Sequence, residues 1–201
     1  MKPILFNTAM VRAILDGRKT VTRRVFNPKY KDDEGGFQIL RHKDGSFLRV
    51  EKLVAECDSS VFPDGTERYV RPPFEAGDIL YVRETWSEMP YGYVYRADDE
   101  EPVGWDHEDR WFPSIHMPKE AARLFLQVKN VDIQRLNDMQ EEDAIAEGFP
   151  DLGVDADSPL ERFSTLWDKT IKRDQLSKLG WWANPFVWVI EFERCEKPME
   201  D

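Results

Sequence analysis

Apolar positions along this chain recur first at helical spacing and then at a period of two. From Thr8 to Asp16, Met10, Val11, Ile14 and Leu15 fall on one helix face, and Gly17 stands where a helix C-terminus takes a residue that tolerates positive φ. After it, Lys19, Val21 and Arg23 alternate with Thr20, Thr22 and Arg24, which predicts an extended strand. Phe37–Leu40 and Ser46–Val54 flank Lys43-Asp44-Gly45, the signature of a hairpin whose charges suit an outer flap. Residues 55–78 read as loop with one short edge strand near 68–71. The apolar run from Ile79 then ends in Arg83 and Glu84 at a strand mouth.

Tyr91–Arg96, Leu124–Ile133 and Phe186–Phe192 read as further strands, the last aromatic and β-branched throughout. Met89-Pro90 imply a loop after Trp86, and an acidic loop follows from Asp98 to Asp109. Met139–Glu147 predicts a short helix ended by Gly148. Ser158-Pro159 opens another, with Leu160, Phe163, Leu166, Trp167 and Ile171 on one face. Pro118 suits the first turn of a helix carrying Arg123. Short strands with interspersed helices outside strict βαβ alternation predict an α+β fold on a small closed sheet.

The 201 residues fit a single domain, 1–201, enlarged by insertions at 31–76 and 97–112. Net charge is −11, from 28 Lys and Arg against 39 Asp and Glu, which argues against a surface built for long duplex nucleic acid. The balance is local. Residues 1–30 hold seven bases and one acid, whereas residues 141–161 hold eight acids and no base. A basic face on an acidic body fits a small anionic or nucleotide-like ligand, or a single strand of nucleic acid, and the expected partner is a small nucleoside-like ligand or single-stranded RNA. Cys57 and Cys195 are far apart, and His42, His107 and His116 lack metal-ligand spacing, so neither a metal nor another cofactor is expected. No signal peptide or membrane span is legible, and a reduced, cytoplasmic setting is the expectation; mean hydropathy is −0.62. Oligomeric state is open.

Several stretches in order resemble the ASCH family, a PUA-like β-barrel group, in its bacterial and phage-encoded branch. They are Gly17-Arg18-Lys19-Thr20-Val21-Thr22-Arg23-Arg24, Gly77–Trp86, Pro113–Pro118 leading to Arg123, Glu142–Gly148, and Asn184–Phe192. The resemblance implies a small mixed β-barrel with flanking helices and loop or hairpin insertions. It also implies RNA or nucleotide binding and, by similarity to an amidohydrolase of acetylated cytidine, a catalytic set of Lys19, Thr22 and Glu147.

The chemistry of those three residue types suits amide hydrolysis. Lys19 is either a neutral amine, lowered by Arg18, Arg23 and Arg24, that activates Thr22, or a charged donor to an oxyanion while Glu147 activates water. Such crowding predicts that removing Lys19 would cost the fold little. Around this set the substrate-binding candidates are Arg24, which either pairs with a carboxylate on the barrel wall or binds phosphate, Arg83 and Glu84, either a strand-end ion pair or pocket lining, and Trp86 as core or base-stacking lid. Ser114 and His116 belong to a loop presenting backbone donors, together with Arg123, and Asn184 is a base reader or a turn residue. The alternative function is a non-catalytic RNA or modified-nucleotide module, or a ribonuclease.

Overall fold

The computed structural model describes residues 1–27, 34–55, 59–98, 100–106, 109–153 and 156–198. Cys57 and His107 lie outside them, as does part of the Asp98–Asp109 loop. The principal sheet has five strands. In spatial order they are β1 (Lys2–Leu5), β6 (Ile79–Arg83), β9 (Phe125–Arg135), β10 (Phe186–Cys195) and β2 (Val21–Val25). The sheet is mixed: β1 runs parallel to β6, and β6, β9, β10 and β2 pair antiparallel. Together with the helices this makes an α+β fold. Among the described residues β1 and β2 are the two ends of the sheet, and the closed sheet expected from the sequence is not formed.

A second sheet consists of β3 (Glu34–Arg41), β4 (Phe47–Val54) and β5 (Tyr69–Val70), with Gly45 at φ 87° in the predicted turn. This hairpin is not an outer flap. Its inner face carries Phe37, Phe47 and the fully buried Val50 onto Phe26, Phe186 and Trp188 of the main sheet. Ring centroids are 4.8 Å apart for Phe26–Phe37 and 5.6 Å for Phe47–Trp188. The first pair is tilted and the second meets edge to face, and aromatic contacts at such distances add to the area they bury, so the hairpin belongs to the main core. A third pair, β7 (Trp86–Met89) and β8 (Gly92–Tyr95), turns at Pro90-Tyr91, so the loop expected at Met89-Pro90 is a tight turn between paired strands.

Helix α1 (Thr8–Leu15) is capped by Asn7, whose side chain accepts from Met10 N, and it ends before Gly17 at φ 72°. Helix α2 (Glu141–Ala146) places three acids in its first turn, where the helix dipole favours them, and Asp143 Oδ2 accepts from Gln140 N at 3.0 Å. Helix α3 (Pro159–Thr170) begins with a reciprocal cap. Ser158 accepts from Glu161 N, and Glu161 accepts from Ser158 N. It buries Phe163 and Trp167 against β2 and β10, and α4 (Leu176–Leu179) follows. The helix expected after Pro118 is only a 3₁₀ turn, Lys119–Ala121, and Arg123 sits on the chain entering β9. Among the described residues no helix is long and apolar enough to cross a membrane.

Candidate functional site

The strand alternation of β2 and its position at a sheet end together create the site. Thr20 O accepts from Phe192 N and Phe26 N donates to Phe186 O, so even-numbered residues bond to β10. Antiparallel pairing alternates, and the backbone groups of Val21, Arg23 and Val25 therefore face away from the sheet. The segment before β2 is held between two helices: Arg18 N and Lys19 N both donate to Ala13 O of α1, and Thr20 N donates to Ala146 O of α2. Gly148, at φ 102°, lets α2 come this close. A Cβ there would stand 2.8 Å from Ala13 Cβ and 3.3 Å from Lys19 Cβ.

Lys19 is buried, 2% exposed, and its ammonium is fully used. It donates to Glu147 Oε2 at 2.5 Å, to Val21 O at 2.7 Å and to Glu147 O at 2.9 Å. Three acceptors match the three N–H groups of a charged ammonium; a neutral amine has only two. Burial pulls Lys19 below the ordinary lysine range, Glu147 pulls it back up, and Arg24 and Arg23 add lesser downward pushes. Arg18 takes no part in this, because it turns outward to Asp16 and Gly148 O. The lowering by Arg crowding expected from the sequence is thus secondary to desolvation. Lys19 is neither a free base nor a free donor, but the residue that positions Glu147.

Glu147 terminates α2, where the helix dipole is unfavourable for an anion, and two cations compensate. Lys19 holds Oε2, while Arg23 Nη1 lies 3.5 Å from Oε1 and Arg23 Nη2 lies 3.1 Å from Asp143. Glu147 also borders a cavity of about 100 Å³, whose strand wall is Thr22, Arg23 and Arg24. Met10 of α1 and Phe163, Leu166 and Trp167 of α3 make the apolar walls, and Thr170 of α3, whose hydroxyl donates to Trp167 O, completes the lining. The Thr22 side chain makes no hydrogen bond with protein among the described residues, neither to Lys19 nor to Glu147, and its hydroxyl is available to a ligand. Arg24 donates to Leu5 O at 3.1 Å and lies over the Phe6 ring at 5.4 Å. It has no carboxylate within ion-pair distance among the described residues. A space of this size admits a few waters or an acetyl-sized group, not a whole nucleoside.

The remaining expected residues lie elsewhere. Glu84, 1% exposed, forms a two-point pair with Arg123, Nε–Oε1 3.0 Å and Nη2–Oε2 3.1 Å, and Arg123 also meets Asp98 at 2.7 Å and covers the Tyr95 ring. Arg83 turns the other way, donating to Met117 O at 2.9 Å and to Ile115 O. The Ser114–His116 turn therefore offers carbonyls to Arg83 rather than amide donors to a ligand. Ser114 is half-buried and His116 exposed, and neither borders the cavity of Thr22 and Glu147. Trp86 is no lid: it packs in a separate cluster with Met117 and Phe125, its indole N–H buried and without a hydrogen-bond partner among the described residues. Asn184 is a turn residue at φ 48°, accepting from Asn137 N, with its carbonyl accepting from Arg135. Phe163 and Trp167, expected together on one face of the helix after Ser158, also wall the cavity, which their helical spacing gave no sign of.

Burial pushes the Glu84 carboxyl up, against the pull of Arg123 and with a further upward push from Asp98. A carboxyl raised above its usual 4.5 contributes stability below that pH and loses it as pH rises through the folded value. Arg123 is what offsets this loss near neutrality. Arg123→Ala should therefore cost about 1.5–3 kcal/mol at pH 7 and much less near pH 4, where Glu84 is protonated. Denaturant unfolding at the two pH values measures the difference.

No protein-family model, no curated protein and no solved structure matches this chain.

Proposed function

We propose that this chain is an ASCH-type domain with a PUA-like core that hydrolyses a small amide carried on a nucleoside-like body, in the cavity of Thr22, Glu147 and Arg24. One observation carries the reading: a buried carboxylate, fixed through Oε2 by Lys19, borders a small cavity beside an unengaged hydroxyl. In this reading Glu147 takes a proton from a water in the cavity. The water oxygen bonds to the acyl carbon, and the carbonyl electron pair moves onto its oxygen, which accepts from the Thr22 hydroxyl. The C–N bond then breaks, the proton on Glu147 passes to the departing amine, and a carboxylic acid and the free exocyclic amine leave. Lys19 positions the base throughout, and the reaction as written calls on no metal or other cofactor.

Arg24, at the rim, binds the body of the substrate. Acetylated cytidine is the probe, with deacetylation followed by chromatography. Turnover is the expected outcome, and its absence at millimolar substrate removes the hydrolytic reading. Binding without turnover would instead favour the non-catalytic nucleotide module, the reading in which Lys19 and Glu147 are purely structural. In either reading a cytoplasmic setting suits the substrate class.

A further inference from the structure

Arg24 borders a second, larger cavity on its other side. It measures about 340 Å³, within the range that accommodates small-molecule ligands, and the segment that closes it, residues 70–74, comes from the hairpin region. Arg24 and Arg71 supply the charge, Asn27 a polar edge, and the mostly buried rings of Phe74 and Trp188 the apolar floor. No Asp or Glu borders it among the described residues. Arg71 is exposed and makes no ion pair or hydrogen bond among the described residues; Arg24 is engaged only by backbone carbonyls and the Phe6 ring.

Arg24 and Arg71 thus face one cavity whose described lining holds two cations and no anion. Arg23, Arg41, Arg49 and Arg123 each have a carboxylate partner, whereas Arg83, Arg135 and Arg194, like Arg24, donate to backbone carbonyls; Arg71 has neither kind of partner among the described residues. Burial also pulls Arg24 below its usual range, with only a partial return from Glu147. Arginine forks match phosphate oxygens in two-point contacts. We infer that the Arg24–Arg71 cavity is a phosphate site, and that the molecule acted on is a nucleotide rather than a free nucleoside.

Geometry supports this division of labour. Thr22 and Arg24 are two positions apart on β2, about 6.6–6.8 Å along the strand, with side chains on the same sheet face. A ligand reaching across Arg24 thus places its neutral reacting end beside Thr22 and its anion beside Arg71. The position of the reacting end rests on the hydrolytic reading; the anion site does not.

Calorimetry on the full chain tests it, with cytidine, cytidine 5′-monophosphate, a cytidine trinucleotide and inorganic pyrophosphate as titrants. The monophosphate should bind about tenfold more tightly than cytidine, a gap that narrows as salt is raised, and Arg71→Ala should remove most of it. If the trinucleotide binds more tightly than the monophosphate, the phosphate belongs to a strand; the reverse order assigns it to a free nucleotide. Pyrophosphate binding that falls in Arg71→Ala supports the site even if acetylated cytidine is not turned over, so the two readings fail separately. Equal affinity for cytidine and its monophosphate, or a gap that survives Arg71→Ala, overturns the proposal. Failure of every phosphate-bearing titrant to bind overturns it as well.

Discussion

Lys19→Ala should destabilise the protein by about 3–5 kcal/mol, because it leaves Glu147 buried with its closest cation gone and two carbonyl oxygens, of Val21 and Glu147, without their donor. For a chain of this length that corresponds to a fall in melting temperature of roughly 6–20 °C. Charge crowding alone would have made the substitution nearly harmless, and a shift below about 2 °C would restore that view and empty the ion pair of structural meaning. Replacing both partners separates structure from chemistry. Lys19→Met with Glu147→Leu removes the charges together, and buried pairs exchanged for apolar residues of similar size are often neutral or stabilising. The double variant should therefore melt well above Lys19→Ala. It should still lack turnover, since it has no base.

Glu147→Gln is expected to lower deacetylation of acetylated cytidine by about 10²–10⁴-fold, the range a positioned general base supplies. The amide oxygen can still accept from Lys19, so the fold should suffer less than in Lys19→Ala, and binding of the acetylated nucleoside should persist. Measured kcat and KM distinguish the outcomes. A loss confined to kcat places Glu147 on the reacting atoms, whereas a rise in KM with kcat retained makes it a binding residue and removes it from the reaction. The Thr22 hydroxyl gives an independent check on the same geometry. Thr22→Val keeps the shape of the wall, and a smaller drop than Glu147→Gln fits a donor to the oxyanion rather than a nucleophile.

Local pattern alone gave the helix ended by Gly17, strand β2, the hairpin about Gly45, the strands β6, β9 and β10, and the capped helix after Ser158. Each rests on a periodicity or cap that neighbours a few residues away decide. β1 and β7 were missed for the converse reason. Four residues at Lys2–Leu5 become a strand only because β6 lies parallel beside them, and Trp86–Met89 only because β8 folds back. The sequence likewise marked Lys19, Thr22, Arg24 and Glu147 by residue type and spacing, but it could not say what touches what.

Contact across 128 positions, from Lys19 to Glu147, turned an apparent free cation into a saturated one. The same kind of distant pairing sent Arg83 to the carbonyls of residues 115 and 117 and Glu84 to Arg123, away from the cleft they were expected to line. It also seated the hairpin on the core, which brings Arg71 to Arg24. Backbone propensity and amphipathic period are local and survive in a single sequence. Burial, and the choice of partner for each charge, depend on which distant segments meet, and only the packed chain decides that.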